Sequence, residues 1–327
     1  MIARRAFLRT LAGSLLAAPV AAEAQQPAKV ARIGFLGPET VSGSKSRVDA
    51  LRAGLRDLGY VEGKNIVIEF RWAEGKYDRL PDLATELVRL NVDVLVAAGE
   101  KAVDAAKRAT TTIPIVVPVT GDAVATSLAT SLARPGGNIT GSTFFGAELT
   151  SKRLELLREA APRITRVAYL LNPANSASGP GIAALEIAAK SLKLGIQPFE
   201  VRAPNEFDSV FTTMAKRHVD AIVVQADTIF IINAKAVADL AATRQFPSAG
   251  LKEFAEAGGL IGYGPNLLEM YRHAAVFVDK ILKGAKPGDL PIERATTFEL
   301  VINMKTAKTL GLTIPPSVLL RADQVIQ

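Results

Sequence analysis

Val30-Ala-Arg-Ile-Gly-Phe-Leu36, stopped by Gly37-Pro38 and followed by a helix-patterned stretch from Arg47 to Leu58, sets the theme of this chain. The first run is short, apolar and bounded by residues that break regular structure, as a buried strand is. In the second, Val48, Leu51, Leu55 and Leu58 recur at three- and four-residue spacing, so they share one helical face, and Gly59 ends it. The same alternation continues outward. Ile66–Trp72 reads as a strand and Asp78–Leu90 as a helix with Leu80, Leu83, Leu87 and Leu90 inward. Val92–Ala97 reads as a strand, Lys101–Ala109 as a helix, Ile113–Val119 as a strand and Ala123–Ala133 as a helix closed by Pro135-Gly136-Gly137. Strands alternating with helices in this way predict a parallel sheet covered on both faces.

The pattern then restarts. Strands are predicted at Ile139–Phe145, Arg166–Leu171, Ile196–Val201, Val219–Gln225, Phe246–Ala249, Leu260–Tyr263 and Thr297–Asn303. Between them fall helices at Ala147–Ala161, Pro180–Leu194, Glu206–Arg217, Ile232–Arg244 and Leu267–Leu282. The fold class is therefore α/β, with two Rossmann-like doubly wound domains and no repeat between them visible in the sequence. Ligands of such sheets sit beyond the carboxyl ends of the strands, so two facing domains imply a clamshell.

The N-terminus carries a different signal. Arg4 and Arg5 precede Phe7-Leu8 and the apolar run Leu11–Ala22, and Ala22-Glu23-Ala24 offers a small-x-small cleavage site. A basic start, a short apolar middle and this ending predict a secretory leader over residues 1–24, cleaved after Ala24, with a twin-arginine character. The run is too short to span a bilayer, which takes about 20 apolar residues. The mature chain is thus expected outside the cytoplasm, in the periplasm, as a soluble monomer.

Composition excludes several chemistries. The chain holds no cysteine, so disulfides, thiolate metal sites and cysteine nucleophiles are out. The net charge is +7. The basic residues are interspersed with acids, with no basic block or aromatic-basic stripe, and this argues for a solvated surface and against nucleic acid. The patterns G-x-x-x-x-G-K-[ST], H-E-x-x-H and G-x-S-x-G are absent. Gly262-Tyr263-Gly264 has Leu267 where a dinucleotide turn needs a small residue. The two histidines, His218 and His273, are read as helix or helix-end residues. No metal, no cofactor and no catalytic residue is expected.

Several segments together resemble one family. They are Arg32-Ile-Gly-Phe-Leu-Gly37, Leu58-Gly-Tyr-Val-Glu-Gly-Lys-Asn65, Ser131-Leu-Ala-Arg-Pro-Gly-Gly-Asn-Ile-Thr-Gly141, Lys152-Arg-Leu-Glu-Leu-Leu157 and Asn172-Pro-Ala-Asn175. Glu256-Ala-Gly-Gly-Leu-Ile-Gly-Tyr-Gly-Pro265 and Lys305-Thr-Ala-Lys-Thr-Leu-Gly-Leu-Thr-Ile-Pro-Pro316 complete the set. They are similar to substrate-binding proteins of ABC transporters, in the branch with tryptophan- and tyrosine-type binders. The resemblance implies the type I periplasmic binding fold, with three crossings near Thr140–Phe145, Leu260–Tyr263 and Pro291–Phe298. Domain one would then comprise residues 25–141 and 260–290, and domain two residues 142–259 and 291–327. It also implies capture of a small solute, an amino acid or related organic acid, and delivery to an inner-membrane ABC permease. A sensory receptor on the same clamshell and an exported two-domain enzyme are the alternatives.

Strand ends then nominate the binding residues. In domain one these are Gly37, Pro38, Glu39, Gly99, Glu100, Thr120 and Asp122. In domain two they are Asn172, Asn175, Gln225, Asp227 and Lys252, with Phe144 on the crossing strand. Asp122 or Asp227 would hold an ammonium group, Phe144 would stack on an apolar side chain, and helix N-termini would meet a carboxylate. Asp122 has a second reading as a helix cap, and Asn172-Pro173 as a turn. Where many relatives have a small Thr or Ser after the third strand, this chain has Glu100-Lys101: an acid in the cleft would favour a cationic or hydroxyl-rich solute over an aromatic one, whereas a Glu-Lys pair at the rim would favour neither.

Overall fold

The computed structural model describes residues 30–327. The leader and its cleavage site lie outside the described residues. In chain order the first series is β1 (Ala31–Gly37), α1 (Lys45–Asp57), β2 (Ile66–Trp72), α2 (Leu80–Arg89), β3 (Val94–Ala97), α3 (Glu100–Ala109), β4 (Ile115–Thr120) and β5 (Ile139–Thr143). The second is α4 (Gly146–Ala160), β6 (Arg166–Leu171), α5 (Ser178–Leu192), β7 (Gly195–Glu200), α6 (Phe207–Lys216), β8 (Ala221–Val224), α7 (Thr228–Ile232), α8 (Ala234–Thr243), β9 (Ser248–Gly250), α9 (Lys252–Glu256) and β10 (Ile261–Pro265). The chain returns to the first unit with α10 (Leu267–Leu282) and β11 (Glu293–Arg294). It ends on the second with β12 (Phe298–Asn303), α11 (Met304–Thr309), α12 (Pro316–Leu319) and β13 (Gln324–Ile326).

Two sheets result. The first runs β11-β5-β4-β3-β1-β2 and the second β13-β12-β10-β9-β8-β6-β7. Every pairing is parallel except β10 with β12. Read from its outer strand, each sheet has the same internal order: β2-β1-β3-β4-β5 in one and β7-β6-β8-β9-β10 in the other. The lobes are thus two copies of one winding, a repeat carried by topology and not by residue identity. Strands buried on both faces explain the unbroken apolar runs such as Val94–Ala97, all at 0% exposure.

Each sheet has a core on either side. On the first, Val48, Leu51 and Leu55 of α1 pack with Ala274, Phe277 and Val278 of α10, while Leu83 and Leu87 of α2 and Val103 of α3 fill the other face. Burying one such leucine stabilises the fold by about 1.5–3 kcal/mol. Helices α1 and α10 touch at Gly54, where an added Cβ would stand 2.2 Å from the Arg272 carbonyl oxygen. At the outer edge of the first sheet, Phe35, Phe70 and Trp72 form an aromatic cluster. The Phe70 and Trp72 rings stack with centroids 5.8 Å apart, and Phe35 lies 5.1 Å from Trp72.

Three sequence expectations change. Ala123–Ala133 is not a helix but a series of turns. Its hydroxyls bond locally: Thr126 Oγ1 donates to the Asp122 carbonyl and Thr130 Oγ1 to those of Arg134 and Pro135, while Ser127 takes φ 57. Such side chains offer the backbone an alternative to the helical ladder. The helix expected at Ile232–Arg244 is α8 (Ala234–Thr243), and a short helix α7 (Thr228–Ile232), not read from the sequence, precedes it across Asn233. Finally, residues 260–265, expected in domain one, lie in the second sheet. Ile261 pairs with Ala249 and Ile302, and Leu260 and Ile261 are fully buried in that lobe's core. Strand β5 keeps residues 142 and 143 in the first sheet, as β11 does residues 293 and 294. The chain therefore crosses between lobes at 144–145, 266 and 295–297.

Candidate functional site

In both lobes the strand order reverses beside the first strand, between β1 and β3 and between β6 and β8. A crevice opens at such a switch point, beyond the carboxyl ends of the strands. The two crevices face each other and enclose about 730 Å³ of atom-free space, including the open mouth.

On the second lobe the wall is a buried polar network. Asp227 follows β8 and caps α7, its Oδ1 accepting from the Ile229 N–H at 2.9 Å. The same carboxylate accepts from Asn172 Nδ2 at 3.2 Å and Asn175 Nδ2 at 2.8 Å. Gln225 Oε1 accepts from the Asn172 N–H at 2.8 Å, and Gln225 Nε2 donates to Ser178 Oγ at 2.9 Å. Ser178 Oγ in turn donates to the Asn172 carbonyl at 2.6 Å. Fully satisfied networks of this kind fix side chains in one geometry. Asp227 and Asn175 present it to the cavity, while Asn172 and Gln225 stand behind them.

On the first lobe Glu39, just past β1, forms a buried ion pair with Arg47 of α1 and accepts a hydrogen bond from Ser44 Oγ. Arg47 Nη2 also donates to the Gly43 carbonyl at 2.9 Å. Burial, the largest single influence, works to lower the Arg47 pKa, but Glu39, Tyr271 and Glu253 together outweigh it and hold the guanidinium above its ordinary value. Burial raises Tyr77 and Tyr271, which complete the wall as neutral phenols. Thr120 Oγ1 lines the cavity, buried and without a protein partner among the described residues.

The lobes meet around this space. Ser176 Oγ of the second lobe donates to Glu100 Oε2 of the first at 3.1 Å. Gly99 sits at φ +80, and a Cβ there would lie 2.9 Å from Thr228 Oγ1 across the gap, so both its conformation and its neighbour call for glycine. The Glu100 carboxyl is pushed up to about 7, first by burial and then by the charges of Asp227 and Asp104, against the bond from Ser176. Neither Glu100 nor Asp227 has an ion-pair partner among the described residues. Under the floor, Arg153 of α4 is fully buried. Its Nε donates to the Tyr263 carbonyl at 2.7 Å, and burial lowers it to about 10 against the nearby Tyr169 and Glu253.

Of the residues nominated from strand ends, Glu39, Gly99, Glu100, Thr120, Phe144, Asn175 and Asp227 line the cavity together. Gly37 and Pro38 lie beside it, with Gly37 against the Trp72 ring. Asp122 takes its second reading: its Oδ1 accepts from the Val124 and Ala125 N–H groups at 3.0 Å and caps a turn, not a helix. Lys252 points to Glu299 at 2.8 Å and braces the second lobe next to the crossing at Asn266. Arg47, Tyr77, Leu251, Leu267 and Tyr271 also line the space, and strand-end reasoning missed them. The signal available for Arg47 was a cation on an otherwise apolar helical face. His218 ends α6 at φ 53 in an exposed position, and His273 Nε2 lies 2.7 Å from Glu293, away from the cavity. No group of metal-ligating side chains occurs among the described residues.

Comparison with known proteins agrees with this geometry. A tyrosine-binding protein of Clostridioides difficile (strain R20291) is 25% identical over 259 residues, covering 79% of this chain and 74% of the relative. A crystal structure from Streptococcus pneumonia, in complex with L-Trp, superposes with a TM-score of 0.84 at 27% identity, over 90% of this chain and 99% of that one. A conserved domain protein of Vibrio cholerae O1 biovar eltor superposes with a TM-score of 0.85 at 26% identity, over 91% and 100%. The profile described as "ABC transporter substrate binding protein" matches residues 40–326. With two doubly wound lobes of the type I periplasmic binding architecture closed around a small-molecule cavity, this chain belongs to the substrate-binding proteins of ABC transporters.

Proposed function

We propose that this protein captures a small solute bearing an ammonium group, of the amino-acid class, outside the cytoplasm and hands it to an ABC permease. The observation that carries the reading is Asp227. Its carboxylate is held by two asparagine amides and a helix N–H, faces the cavity and has no cation of its own. A ligand ammonium supplies that cation, and a charge-assisted hydrogen bond there is among the stronger polar contacts available. A relative named as a tyrosine-binding protein and a relative in complex with L-Trp support the solute class. The leader pattern supports export, and no helix among the described residues is long and apolar enough to cross a membrane. The chain acts as a monomer and by binding alone: closure is hinge bending at three crossings, favoured by contacts the open form lacks.

A thermal-shift screen of the mature protein with L-amino acids and their N-acetyl derivatives tests this. A free-amine ligand at 100 times its dissociation constant should add about 2.7 kcal/mol of stability, and its N-acetyl form should add none. Asp227→Asn keeps an acceptor for the helix cap, so it should stay folded and lose the shift. An unchanged shift in that variant removes Asp227 from the site.

A further inference from the structure

We propose that Glu100 is a specificity-determining residue that reads a second positive charge on the solute, so that this cleft selects amino acids with a cationic side chain over aromatic ones. The inference rests on the ammonium reading above and deepens it.

Glu100 and Asp227 come from opposite lobes and face one cavity. Asp227 accepts two hydrogen bonds on Oδ1 and one on Oδ2, which fixes the carboxylate and leaves an acceptor position on Oδ2 for the guest's ammonium. Glu100 has one oxygen bonded to Ser176 Oγ at 3.1 Å, which leaves Oε1 available to a guest. The charged groups that bear on Glu100 are Asp227 across the cleft and Asp104 and Lys101 on its own helix. The Glu39–Arg47 pair is neutral as a unit, and Tyr77 is kept in its phenol form. Lining the cavity are three acids, Glu39, Glu100 and Asp227, against two cations, Arg47 and Lys101, so the balance is acidic by one. An aromatic amino acid would spend its ammonium on Asp227 and leave Glu100 in a shielded space with no cation from the guest, where its charged form is disfavoured. A guest with two positive centres places one against each.

The proton balance follows. Burial and Asp227 hold a proton on Glu100 up to about pH 7. A second cation entering displaces that proton to solvent, so binding of a dibasic guest strengthens as pH rises toward the Glu100 pKa and levels off above it. A neutral-side-chain guest makes no such demand.

Titration calorimetry decides this with L-lysine, L-arginine, L-norleucine and L-phenylalanine, on the mature protein and on Glu100→Gln. It is run at about pH 6 and about pH 8 in buffers of different ionisation enthalpy. At the higher pH the parent should bind lysine or arginine at least about tenfold more tightly than norleucine. It should lose several-fold of that affinity at the lower pH, with proton release seen as a buffer-dependent heat. Glu100→Gln, near-isosteric and checked by its melting curve, should lose the preference and the pH dependence while norleucine affinity is kept or improved. Equal binding of norleucine and lysine, or the same pH slope in both proteins, overturns the role of Glu100 and leaves the ammonium reading standing. Absence of binding by every free amine overturns both.

Discussion

At the scale of single residues, position at a strand end was legible and reach from a helix was not. Glu39, Gly99, Glu100, Asn175 and Asp227 follow β1, β3, β6 and β8, Thr120 ends β4, and the chemistry of parallel sheets sends such residues to a common edge. Arg47 and Tyr271 arrive from α1 and α10, whose apolar faces pointed only to packing. The Glu39–Arg47 pair is buried on both sides, so its two members depend on each other. Arg47→Met should destabilise the protein by about 3–5 kcal/mol by leaving a carboxylate uncompensated. Adding Glu39→Gln should recover much of that loss. Urea unfolding of both variants checks it: equal stability of the single and double variants would show the pair to be unimportant.

At the scale of elements, long apolar-striped helices and buried strands were legible because packing and local propensity agree in them. Ala123–Ala133 was not, because its alanines and leucines read as helix while Thr126, Thr130 and Ser131 spend their hydroxyls on nearby backbone and Ser127 takes a positive φ. The β10 boundary was misplaced because an apolar strand fits either sheet by composition, and only its partners Ala249 and Ile302 decide. The contact of α1 with α10 matters most for the first lobe, since α10 arrives only after the chain has visited the second. Gly54→Ala puts a methyl against the Arg272 carbonyl. It should cost about 1–3 kcal/mol as the helices are forced apart. Thermal melts of that variant should show the loss with ligand affinity changed little; an unchanged midpoint would mean the helices separate freely.

At the scale of the whole molecule, closure is what joins residue chemistry to transport. Glu100 is raised to about 7 in the closed form, chiefly by burial, and regains water when the lobes part. The closed form therefore binds more protons than the open one between roughly pH 4.5 and 7, and its relative stability falls as pH rises through that window. Small-angle scattering of the ligand-free protein should show a smaller radius of gyration at about pH 5 than at about pH 8. Glu100→Gln should remove the difference, and a radius constant with pH in the parent would contradict the linkage. The two-lobe winding was legible as a sequence of elements, but the shared strand order was not, because nothing in the residues repeats.

The aromatic cluster at the sheet edge has a practical consequence. Trp72 is the chain's one tryptophan, stacked on Phe70 and packed against Gly37 next to the cleft mouth. Emission excited at the red edge of the indole absorption band, where the chain's tyrosines absorb little, therefore arises from a single fluorophore at one known location. Stopped-flow recording of that emission on mixing with ligand, with no dye attached, tests whether closure reaches this edge of the sheet.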